Sequence, residues 1–108
     1  MERDNLYCAH IRDAISKIET YVHGVAFEAF DKNFLLQDGA VREFEVIGEA
    51  ARHLSEAFKA RHTDIPWRQV IDMRNKLVHE YFNVDTELVW ATIERDLPML
   101  KNAVKDPS

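Results

Sequence analysis

The chain has 108 residues, 46% of them hydrophobic and 31% charged, with 14 Lys+Arg against 19 Asp+Glu for a formal net charge of −5. A chain of this size buries about two-thirds of its extended surface around one core, and its mix of apolar and charged residues excludes a disordered polymer and a membrane span. The lone Cys8 excludes an internal disulfide, and the acidic total argues against a general nucleic-acid binder.

With only 3 Gly and 3 Pro, long helices are the natural expectation. Ile11, Ala14, Ile15, Ile18 and Val22 recur at three- and four-residue spacing behind a candidate Asp4 N-cap and predict a helix over 4–22. His23 and Gly24 end it, and Val25 to Phe30 predicts a helical turn or two. Leu36, Ala40, Phe44, Ile47, Ala51, Leu54 and Phe58 keep one period and predict a single third helix, capped near Asp38 and ending before Thr63. Pro66 stands where a first-turn proline belongs, and Trp67, Val70, Ile71, Leu77, Val78 and Tyr81 form the stripe of a fourth helix. Asn83 and Val84 break that pattern. Asp85 caps a fifth helix through Leu88, Val89, Ile93, Leu97, Leu100 and Val104, in which Pro98 should kink the axis or shorten the hydrogen-bond ladder. No strand-like alternation, internal repeat or linker is visible. Residues 1–108 therefore read as one all-α domain, an up-and-down bundle of four main helices plus a short extra helix. No export signal is expected, and the single cysteine suits a reducing cytoplasmic home.

One residue does not fit the stripe. At about 100° per residue with Arg74 as zero, Trp67, Val70, Ile71, Leu77, Val78 and Tyr81 all fall within about 60° of it, so Arg74 lies mid-stripe. Asn75 and His79 fall near 100° and 140° on one shoulder, by the same roughly 100° rule. A buried guanidinium needs a counter-charge. One reading pairs Arg74 with a carboxylate such as Glu43. The other makes it a phosphate clamp in a cleft or dimer seam, with Asn75 as a neutral hydrogen-bond partner and His79 as proton carrier. Attack of a ribose 2′-hydroxyl on its neighbouring phosphate needs a base, an acid and a cation, which two Arg/His pairs supply without metal.

Other constellations are weaker. The five histidines contain no HxH or HExxH spacing, so no metal site is expected. Glu49 and His53 read as an exposed helix pair, and Glu45 and Glu49 as a solvated stripe beside Arg42 and Arg52. No Gly-rich phosphate loop is present, and the polar face of the fourth helix, with Asp72 and Glu80, argues against a DNA-reading helix. Trp67 and Trp90 read as core.

The segments Ile65-Pro66-Trp67-Arg68, Met73 to Phe82, Val84-Asp85 to Val89-Trp90 and Asp96-Leu97-Pro98, with Ile47-Gly48-Glu49-Ala50 upstream, resemble the HepT-like branch of the HEPN family across about residues 40–100. The resemblance implies a HEPN-like homodimer in which the Arg-x4-His motifs, Arg74 and His79 here, meet across the interface as a metal-independent endoribonuclease site. It also implies the toxin of a toxin–antitoxin pair, acting on RNA such as tRNA or mRNA without a cofactor. Its antitoxin would be a minimal nucleotidyltransferase that transfers AMP to the tyrosine two residues after the histidine, which is Tyr81; Asn75 matches the polar residue that follows the arginine. On the wheel alone Tyr81 is a half-buried core tyrosine, and the acidic surface also suits a non-catalytic helical partner that binds and regulates a nucleotidyltransferase. Charge sharpens the first reading: residues 41–76 carry 7 basic and 6 acidic side chains, while residues 1–40 carry 4 and 7.

Overall fold

A computed structural model describes residues 2–80 and 83–105; for Arg74, Val78, His79, Glu80 and Asn83 it describes the backbone alone. Helix α1 (Glu2–Val22) buries Cys8, Ile11, Ala14, Ile15 and Ile18 along one stripe. Its main partner is α3 (Phe34–Arg52), which contributes Ala40, Phe44, Ile47 and Ala51. The third long helix, α7 (Thr86–Val104), closes the core with Val89, Leu97, Leu100 and Val104. Each large side chain buried this way contributes on the order of 1.5–3 kcal/mol. The fold is mostly helical, as expected; the expected elements differ in three places.

The predicted third helix is two. Its start is set by Asn33, whose side chain accepts the Leu36 amide at 3.1 Å, and not by Asp38. It stops at Arg52, and a separate α4 (Glu56–Arg61) follows. The break has a tertiary cause. Asp4 of α1 accepts hydrogen bonds from the Ser55 amide at 2.8 Å and hydroxyl at 2.7 Å, while Ser55 Oγ accepts the Phe58 amide and caps α4. Leu54 and Phe58 stay buried on either side of the break, so the apolar spacing survives it. The short predicted turn is α2 (Phe27–Phe30), tied to α3 by the Gln37 side-chain amide donating to the Phe30 carbonyl at 2.9 Å.

The predicted fourth helix is also two, α5 (Trp67–Ile71) and α6 (Met73–Leu77), interrupted at Asp72. It does not reach Tyr81. At Val78 the chain extends into β1 (Val78–Glu80), antiparallel to β2 (Asn83–Val84) with Val78 opposite Val84 and Glu80 opposite Asn83. The Asp85 amide then donates to the Leu77 carbonyl at 2.8 Å and closes the hairpin. A pair of adjacent apolar residues such as Leu77-Val78 fits the edge of a helical stripe or the start of a short strand, and strand pairing decides here. Asp85 does cap α7, accepting the Leu88 amide at 3.1 Å. Pro98 lies inside α7 without ending it. Its exposed position leaves the Glu94 carbonyl, which loses a donor, open to water.

Candidate functional site

The motif segment is carried by α5, α6 and β1, and the body of the protein fixes its near end. Trp67 donates its indole N–H to the Lys59 and His62 carbonyls at 3.2 and 3.0 Å and packs edge-on against Phe58, with ring centroids 6.0 Å apart. Gly48 lets α5 approach α3 closely: a Cβ there would lie 2.9 Å from the Ile71 carbonyl oxygen and 3.1 Å from that of Val70. Met73 and Leu77, one turn apart, anchor α6 in the core, so Asn75 and Lys76 between them are exposed.

Asn75 donates its side-chain amide to Asp72 Oδ1 at 2.6 Å, and its backbone amide donates to the Asp72 carbonyl at 3.1 Å. Asp72 thus starts α6 and orients Asn75. Because a carboxylate only accepts, the Asn75 nitrogen faces Asp72 and its oxygen is left to other partners. Both residues line a cleft of about 440 Å³ together with Glu45, Glu49, Arg52 and Ile71. On its α3 wall Glu49 sits 3.1 Å from His53 Nε2 and 3.8 Å from Arg52 Nε. That is the helix-surface pair the sequence predicts, now part of a cleft wall. Asp72 and this acidic wall were not singled out as a site by the sequence; the Asp-x-x-Asn spacing was their only signal.

The backbones of Arg74 and His79 fall on different elements, α6 and β1. The angular separation of a straight helix therefore does not apply to them. Their side chains, and Tyr81 as a whole, lie outside the described residues. Glu43, the candidate counter-charge for Arg74, is buried on α3, and its charge reaches Lys17 of α1. The Lys17 pKa is raised mainly by its bond to Asp13, with Glu43 a lesser cause. Trp67 and Trp90 are partly buried against the core, Trp90 between Phe27 and Phe30 at 6.0 and 5.1 Å. Among the described residues no three His, Cys, Asp or Glu side chains converge as a metal-binding group, and no helix is long and apolar enough to cross a membrane.

Comparison with known proteins places the chain in a family. Residues 11–106 match the family model described as ribonuclease HepT-like. The chain is 37% identical over 106 residues to "Putative RNase TTE0752" of Caldanaerobacter subterraneus subsp. tengcongensis, covering 98% of this chain and 95% of that one. It is 40% identical over 95 residues to "Probable ribonuclease HepT" of Thermococcus cleftensis, covering 88% and 86% of the two chains. No solved structure matches. The match runs through α3, α5, α6 and the hairpin that carry the motif, and on that ground the chain belongs to the ribonuclease HepT-like family.

Proposed function

We propose that this protein is an endoribonuclease toxin that cuts RNA without a metal ion, using Arg74 and His79 brought together from two copies of the chain. What supports the reading most is the end of α6 at Leu77, which puts Arg74 and His79 on consecutive elements, a helix and a strand, so that the separation of about 140° in a straight helix does not hold them apart. In the reaction, a base removes the proton of a ribose 2′-hydroxyl and the 2′-oxygen bonds to the adjacent phosphorus. The bond to the 5′-oxygen breaks and that oxygen takes up a proton, leaving a 2′,3′-cyclic phosphate and a 5′-hydroxyl. His79 carries the proton, and Arg74 neutralises the charge that builds on the phosphoryl oxygens. The Asn75 oxygen, turned away from Asp72, accepts from an imidazole N–H or a ribose hydroxyl and so orients one of them.

The protein would work as a cytoplasmic homodimer, held in check by a minimal nucleotidyltransferase antitoxin that attaches AMP to Tyr81. An adenylate there would set a bulky anion two residues from the proton carrier and compete with the RNA phosphate. Expression in a bacterial host tests this. The wild type should arrest growth, and His79→Ala or co-expression of the nucleotidyltransferase should relieve it. Unimpaired growth at high wild-type expression, or arrest that His79→Ala leaves untouched, would contradict the reading; the first result would favour a non-catalytic regulatory subunit.

A further inference from the structure

Helix α6 lies between two hollows. On the Asn75 side, the charged residues of the cleft, among those described, are Glu45, Glu49, Asp72 and Arg52. On the other side, α5, α6 and α7 enclose a hollow of about 120 Å³ whose charged lining is Lys76, Arg95 and Asp96, two bases to one acid, with Gln69 beside them. Lys17, Arg52, Lys59 and Lys101 each sit within 4.0 Å of a carboxylate. Among the described residues Lys76 and Arg95 have no such partner, as is also true of Lys32, Arg42 and Arg68; what sets Lys76 and Arg95 apart is that both are exposed and line one hollow between facing helices. Two unpaired cations across one hollow repel each other until an anion sits between them.

We propose that this hollow is a phosphate subsite, in which Lys76 and Arg95 hold a phosphodiester of the RNA strand next to the one that is cut. The proposal rests on the ribonuclease reading above. The chemistry suits a phosphodiester: the guanidinium of Arg95 offers a planar two-point donor, Lys76 a compact charge and Gln69 an amide N–H. Asp96 disfavours a dianion but accepts a hydrogen bond from a ribose hydroxyl, which favours a sugar–phosphate chain over free phosphate. Lys76 follows Arg74 by two residues on α6, about 200° round the helix, so a strand meets both only by passing over the exposed face that carries Asn75.

The test is steady-state cleavage of a hexanucleotide and of a dinucleotide with a single phosphodiester. The protein is compared as wild type, as the charge-reversed Lys76→Glu/Arg95→Glu, and as the neutral Lys76→Gln/Arg95→Gln. Lys17→Glu/Lys101→Glu serves as a control of equal charge change. Reversal should raise KM for the hexanucleotide at least tenfold with kcat within twofold, leave the dinucleotide unaffected, and lower the log–log salt slope by about 0.7. The neutral pair should do the same more weakly and carries the test if the reversed pair does not fold. An unchanged hexanucleotide KM, an equal rise on both substrates, or the same rise in the control would overturn the subsite. A wild type that cuts neither substrate would defeat the ribonuclease reading itself, and the subsite with it.

Discussion

Asn75 and Asp72 are joined twice, side chain to side chain at 2.6 Å and backbone to backbone at 3.1 Å, and this pair ends one helix and begins the next just before Arg74. The bond fixes which end of the amide is free. Asp72→Ala should cost about 1 kcal/mol of stability, the usual worth of such a bond, and lower kcat about tenfold. Asp72→Asn keeps an acceptor and should keep most of the activity. Thermal melts and single-turnover cleavage read both, and an Asp72→Ala enzyme with wild-type kcat would show that the Asn75 orientation does not matter.

The contact between α1 and α4 makes stability depend on pH. Burial by itself would raise the Asp4 pKa. The two Ser55 hydrogen bonds and the charge of Arg61 outweigh it and hold the carboxyl below its ordinary value. A carboxylate depressed on folding stabilises above its unfolded pKa of about 3.9, and that stabilisation is lost as pH falls below it. Asp4→Asn should therefore lower stability by about 2 kcal/mol at pH 7, with the gap to wild type closing below about pH 4. Denaturant titrations across pH measure it; a gap that is constant with pH would refute the assignment.

Gly48 tests how the motif is held. An alanine gains about 0.5–1 kcal/mol of helix propensity. Its methyl, however, would press on the Ile71 and Val70 carbonyls, backbone atoms that cannot rotate away. Overpacking of this kind costs about 1–3 kcal/mol, and each net kcal/mol lowers Tm by about 4–8 °C at this size. Gly48→Ala should melt earlier and cleave more slowly, because moving α5 moves α6. A variant as stable and active as wild type would mean that α3 and α5 have slack between them.

Tyr81 gives a prediction in mass. The protein purified after co-expression with its nucleotidyltransferase should carry an added AMP on the peptide containing Tyr81, and protein made alone should not. Tyr81→Phe should remain toxic in the presence of the partner's catalytic activity. Modification mapped to another residue would remove Tyr81 from the account.

The long helices were legible because their apolar stripes are uninterrupted and long, as at Ile11, Ile15 and Ile18 or Leu97, Leu100 and Val104. The Asp85 cap was legible because it acts locally. The breaks at His53 and Asp72 were not. Leu54 and Phe58 keep the helical period across the first, and its cause is Asp4, 51 residues away. Val70, Met73 and Leu77 are likewise buried on both sides of the second. Val78 to Glu80 was misread as helix because its partner strand is only two residues long. The motif residues were found by their spacing with neighbouring segments; the two charged hollows beside them depend on which helices pack together, and no local pattern encodes that.

The central claim is that Arg74 and His79 cut RNA without metal. It is tested most directly by incubating purified wild type, Arg74→Ala and His79→Ala with tRNA and mRNA in excess EDTA and identifying the new ends. The account predicts cleavage by wild type with 2′,3′-cyclic phosphate and 5′-hydroxyl termini, and loss of at least a hundredfold in either variant. Equal cleavage by all three proteins, or none by wild type at high enzyme concentration, would contradict it.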